Sequence, residues 1–226
     1  MVSLQPGITP LPIVITYFAA ASVAAFVMLK KSKARMKLMD YVVAAIGGAI
    51  TSFADHVLGH AVYLPTPIYP FVNPPFWFRI LVFFITVGLV RKVGAGMLSM
   101  AVFDLVGDLT HFGFAGEPLW LIEDVLTYGF MADVAIFLTK GRLFGIGERR
   151  YATLYAVFEG GLLGFFMALV HPFFTYGFFA PIIKGFVPSQ AYVQFLVISY
   201  IPGHVAVGAL SAVIAARIAR VVRATV

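Results

Sequence analysis

No cysteine occurs among the 226 residues, which excludes disulfides, thiolate metal ligands, cysteine nucleophiles and covalently attached c-type haem. Charge is also scarce: 12% of the residues are charged against 61% hydrophobic, and the mean hydropathy is +0.96. So little polar surface cannot cover a water-soluble globule, and the composition is that of an integral membrane protein. No G-x-x-x-x-G-K-[ST] run is present, so ATP hydrolysis through a phosphate-binding loop is excluded. Nor is there a basic stripe suited to nucleic acid. The net charge of +6 comes from Lys and Arg at the ends of apolar runs, a pattern of membrane topology with contact to anionic lipid as a lesser component. The first residues lack a basic n-region, so the apolar run after them is expected to be a retained span.

What is there in quantity is long apolar sequence. A span needs roughly 20 mostly apolar residues, and seven such runs can be drawn, about 11–29, 39–62, 76–90, 93–112, 118–138, 151–174 and from about 189 to 220. The expectation is a multi-pass, all-α cell-membrane protein forming one domain, with residues 1–37 as an extra N-terminal span plus basic loop and 38–226 as a six-helix core. The proline-rich stretch 63–75 reads as an outer loop or cap, Pro172 as the exit of the sixth span, and 175–188 as a second loop. With the N-terminus outside and the C-terminus in the cytoplasm, 14 of the 16 basic residues become cytoplasmic, leaving Arg79 and Lys184 outside.

Polar side chains are unevenly placed along these spans. The stretch from Val90 to Leu138 carries Asp104, Asp108, His111, Glu117, Glu123, Asp124 and Asp133, and ionisable groups at membrane depth are costly unless paired or facing a wet cavity. Asp55, His56, His60, Asp108, His111, Glu123, Asp124 and His171 all fall near the outer ends of their spans, with Asp104, Asp133, Glu159 and His204 deeper. Asp104, Asp108 and His111 share a helix face at i, i+4 and i+7; His56 and His60, and Asp124 and Tyr128, are i, i+4 pairs. An outward-facing pocket is expected from Asp55, His56, Asp104, Asp108, His111, Trp120, Glu123, Asp124, Tyr128 and His171. The alternative is that outer-end polar groups merely reach for the headgroups. Glu159, beside Gly160-Gly161, reads as a group that pairs with a neighbouring helix rather than with a ligand, Asp133 lies on the opposite face from Asp124, and His204, after Pro202-Gly203, reads as either a structural histidine or a ligand. Small-residue faces at Ala44, Ala45, Gly48, Ala49 and at Gly208, Ala212, Ala216, Ala219 predict close helix packing.

The segments R-K-V-G-A-G-M-L-S, G-E-P-L-W-L-I-E-D, Y-G-F-M-A-D and P-G-H-V-A-V-G-A-L-S-A-V-I-A-A-R, spread over residues 76–220, resemble the substrate-binding S component of energy-coupling factor (ECF) transporters, closest to the thiamine/hydroxymethylpyrimidine group called YkoE. The resemblance implies a non-enzymatic subunit that captures a vitamin or related small molecule from outside and works with a transmembrane T subunit and cytoplasmic ATPases. An acid-rich, aromatic-lined pocket suits an amino heterocycle, with carboxylates accepting its hydrogen bonds and Trp120 or Tyr128 stacking on its ring.

Two other readings remain open. His56, His60, Asp108 and His111 could bind Zn, Cu, Ni or Co, either in metal uptake or in a membrane oxidoreductase, and paired histidines could hold haem. Alternatively, the chain is a structural subunit of a larger membrane assembly.

Overall fold

The computed structural model describes residues 7–62, 64–65, 68–110, 118–148 and 150–224. Every regular element among the described residues is helical. Four helical runs are long and apolar enough to cross a membrane: Leu11–Lys31, Leu38–Gly59, Ala152–Lys184 and Gln190–Val222, with Pro74–Val90 a shorter apolar helix. Their outward faces carry apolar side chains such as Leu38, Met39, Phe158 and Ile198, each at least 66% exposed. Apolar surface of this extent calls for lipid, and the protein is membrane-embedded.

The molecule is built around α3 (Pro74–Val90). Its first two residues are prolines, which suit the first helical turn because the N–H they lack would be unpaired there anyway; Asn73 caps the turn by accepting from the Phe76 N–H at 3.3 Å. The helix therefore begins inside the proline-rich stretch read from sequence as wholly loop. Arg91 ends it in the left-handed conformation (φ 48°). Around α3 pack α2 (Leu38–Phe53), α4 (Ala95–Thr110) and α9 (Gln190–Ala224). Phe76, Ile80, Phe83, Phe84, Phe103 and Tyr128 form the middle of the core.

The small-residue faces are used inside the chain. Ser99 on α4 donates to the Ala44 carbonyl of α2 at 2.9 Å. Gly160 of α7 (Ala152–Val170) and Gly208 of α9 lie so close that a Cβ on either would run into the other's carbonyl oxygen. Ala212, Ala216 and Ala219 continue that contact into the core.

Among the described residues, three helical runs contain π-helical turns. α2 passes into one at Ala54–Gly59. α5 (Pro118–Asp124) passes through Val125–Gly129 into α6 (Phe130–Leu138), and α7 passes through His171–Phe179 into α8 (Ala180–Lys184). The last corrects the sequence reading. Pro172 does not end the helix, and 175–184 is helix rather than loop. A proline ring clashes with the carbonyl four residues back in an α-helix, and the wider π turn that starts at His171 makes room for it.

α1 (Leu11–Lys31) lies outside this core, against α6 and two of the π turns. Tyr17 donates to the Leu126 carbonyl at 3.1 Å, Thr9 Oγ1 to Phe173 O at 2.5 Å, and the Thr9 N–H to Gly177 O at 3.0 Å. All three acceptors belong to π turns, where the shifted bonding pattern leaves carbonyls in need of partners.

Candidate functional site

At one end of α3, where α2, α4, α5 and the α7–α8 run converge, the structure encloses a cavity of about 390 Å³. That volume lies within the range of small-molecule sites, roughly 300–1,000 Å³. Two of the π turns contribute to its wall, Asp55 and His56 from the first and His171, Thr175 and Tyr176 from the third, while Glu123 and Asp124 come from the last turn of α5, just before the second. A π turn carries one residue more than its α equivalent and so aims side chains in directions a regular helix does not offer.

Five carboxylates reach the cavity: Asp55, Asp104, Asp108, Glu123 and Asp124. Among them stands Arg79. Its Nε and Nη2 both lie 2.5 Å from Asp55 Oδ2, and Nη1 lies 3.5 Å from Asp124 Oδ2. The guanidinium sits 4.4 Å from the Phe103 ring centroid, with Phe76 and Tyr128 at 5.3 and 5.4 Å. A planar, permanently charged fork can bond carboxylates edge-on while its face rests on rings. One Arg, with Lys184 also on the wall, leaves the cluster short of positive charge.

The acids are unequally satisfied. Thr175 donates to Glu123 Oε1, whereas Glu123 Oε2 and Asp104 Oδ2 are buried without a hydrogen-bond partner. The histidines are held by the protein: His56 Nδ1 lies 3.1 Å from Ser52 Oγ, His60 Nδ1 3.1 Å from the Asp55 carbonyl, and His171 Nδ1 2.7 Å from Tyr128 Oη.

Of the residues expected from sequence, the structure brings Asp55, His56, His60, Asp104, Asp108, Trp120, Glu123, Asp124 and His171 to this one cavity. Tyr128 is buried behind the wall and is not available for stacking; it supports His171 and Arg79 instead. His111 and Glu117 lie outside the described residues. Among the described residues no group of three or more His, Asp or Glu side chains is arranged to hold a metal ion. Sequence reasoning missed Arg79, Tyr69, Asn73, Thr175, Tyr176 and Lys184. Arg79 had a signal of its own, being the lone charge within the apolar run 74–90.

Of the deeper polar residues, Asp104 reaches the cavity and the other three go elsewhere. Asp133 accepts from the backbone N–H groups of Gly96 (3.0 Å) and Met97 (3.1 Å), capping the start of α4 from a neighbouring helix, and Glu159 accepts from the Phe144 N–H. His204 packs behind the cavity against Phe76 (ring centroids 4.2 Å apart) and Tyr200 (5.1 Å). Comparison with family models, curated proteins and solved structures finds no match to the chain.

Proposed function

We propose that this protein is the solute-binding subunit of an ECF-type uptake transporter and takes a compact amino-heterocyclic or cationic molecule of the thiamine or pyrimidine-precursor class. In this reading the chain crosses the cell membrane seven times, with its N-terminus outside and its C-terminus in the cytoplasm, so the acidic cavity opens to the exterior. The observation that carries the reading is the pair of buried, unpartnered carboxyl oxygens, Asp104 Oδ2 and Glu123 Oε2, in side chains that line a half-open cavity.

A buried acceptor left unmade costs about 1–3 kcal/mol, and a ligand that donates to it recovers that energy on binding. A second cation beside Arg79 would offset the surplus of carboxylates, while Phe76, Phe103, Trp120 and Tyr176 supply flat apolar surface for a ring. Glu123 and Asp104 accept from the ligand, Arg79 holds Asp55 and Asp124 in place, and the T subunit and ATPases supply the energy. The resemblance of residues 76–220 to S components supports the choice of transporter class.

Native mass spectrometry of the full chain, followed by calorimetric titration with thiamine and with hydroxymethylpyrimidine, tests the reading. One molecule bound per chain, lost in Glu123→Gln, is the expected result. Stoichiometric Zn, Cu, Ni or Co that disappears in His56→Ala would replace it with the metal reading. Affinity purification at native abundance should recover the T subunit and ATPases; transport by the isolated chain would overturn the assignment. Because the chain has no cysteine, single cysteines at Ser32 and Ser189 report topology: impermeant maleimide should label Ser189→Cys and not Ser32→Cys in intact cells.

A further inference from the structure

At the other end of α3 lies a second cavity, of about 520 Å³, set between the end of α1, the Arg91 turn and the end of α6. Lys31, Lys33, Arg91, Lys92 and Lys140 line it, and Val93, Ile136, Phe137 and Leu138 supply an apolar side. Helix C-termini attract cations, which is the plain explanation for such a cluster, but here it falls short. Three helix ends, each worth roughly half a negative charge, together with Asp40, which pairs with Lys92 at 2.5 Å, still leave about two positive charges over. The nearby Glu148 is already committed to Arg142 at 2.7 Å.

Arg91 supplies an independent observation. It is 8% exposed; Nη1 donates to the Gly141 carbonyl at 3.3 Å, and its buried Nε–H has no partner. A guanidinium held at the wall of a cavity by one bond, with donor capacity left over and further lysines on the rim, matches a phosphate. We propose that this cavity is a binding site for a phosphate group, with the headgroup of an anionic phospholipid as its occupant: Arg91 and the lysines hold the phosphate while Val93 and the Ile136–Leu138 edge lie along the glycerol and upper acyl chain. The surface exposure of Leu138, 72%, leaves that side open to the bilayer. The site is independent of whatever fills the acidic cavity.

The test uses the full-length protein in detergent, titrated separately with phosphatidylglycerol, phosphatidylcholine and inorganic phosphate, and read by native mass spectrometry and by the thermal unfolding midpoint. Phosphatidylglycerol should be retained as a single adduct in preference to phosphatidylcholine and should raise the midpoint. Removing one cation should lower the retention ratio about fivefold. This is expected for Arg91→Gln and, so that the test does not depend on the folding of a variant at a buried position, equally for Lys140→Gln and Lys33→Gln, which alter exposed positions. Arg35→Gln, exposed and outside the cavity, should leave the ratio unchanged. A midpoint raised equally by millimolar inorganic phosphate would keep the phosphate chemistry and assign the occupant to a soluble anion. Equal retention of the two lipids, or an equal loss in Arg35→Gln, would reduce the cluster to general surface charge and overturn the proposal.

Discussion

Asp133 and Glu123 stand on one helical run, and both are almost completely buried, at 0% and 1% exposed. Asp133 gives both oxygens to backbone N–H groups at the start of α4 and touches no cavity. Glu123 gives one oxygen to Thr175, keeps the other unpartnered, and faces 390 Å³ of space. Both are carboxylic acids and both are buried. What differs is where the acceptor capacity goes. An acid whose lone pairs are consumed by its own chain is a part of the frame, whereas one with capacity to spare beside a cavity is placed to meet something else.

Arg79 tests this contrast most severely. Arg79→Ala would strand Asp55 and Asp124, and breaking a buried ion pair by removing one partner costs about 3–5 kcal/mol. Thermal unfolding in detergent should show a variant that is barely folded; parent-like stability would mean that the cavity acids need no counter-charge. Next comes Asp133→Ala, which orphans two backbone N–H groups, with an expected loss of about 3 kcal/mol and unchanged ligand affinity in whatever remains folded. A variant of parent stability but weakened binding would reverse the roles assigned to the two acids.

Glu123→Gln and Asp104→Asn should behave oppositely to Asp133→Ala. Each removes a buried acceptor oxygen that the protein leaves unpartnered, so the unfolding midpoint should hold or rise, while ligand affinity in calorimetry falls roughly tenfold or more, the worth of a hydrogen bond to a charged ligand. The smallest effect belongs to Tyr17→Phe. Loss of its hydroxyl from the Leu126 carbonyl should cost about 1 kcal/mol, and hydrogen exchange should report it as faster opening of 125–129 rather than of α1 itself.

The helical runs were legible because apolar length is a property of composition, and the acids at their ends were legible because charge is conspicuous in such a background. Arg79 carries the same kind of signal, yet a count of basic residues uses it only to orient the chain and does not show that it pairs with two of the acids. The α7–α8 run was cut short for a related reason. Pro172 is a helix breaker only while the helix stays α, and nothing local to the residues announces a π turn. Tyr128 had the right spacing to share a face with Asp124, but a residue within a π turn no longer obeys that spacing, and it ends up behind the wall. Asp133 and Glu159 accept from backbone N–H groups of neighbouring segments, and sequence carries no record of which neighbouring N–H groups lack a partner.

The π turns also fix how the two acids on the shared run are phased. Each residue of an α-helix advances the chain by about 100° around its axis. Deleting a single residue within 125–129 would restore an α turn and swing Glu123 and Asp124 by about that angle relative to Asp133. With Asp133 anchored on α4, the rotation would carry both site acids off the cavity wall while every span kept its length. The same arithmetic holds at 54–59 and 171–179. Among relatives of this chain, loss of the site should therefore appear as one-residue gaps at these three places as often as by replacement of the acids.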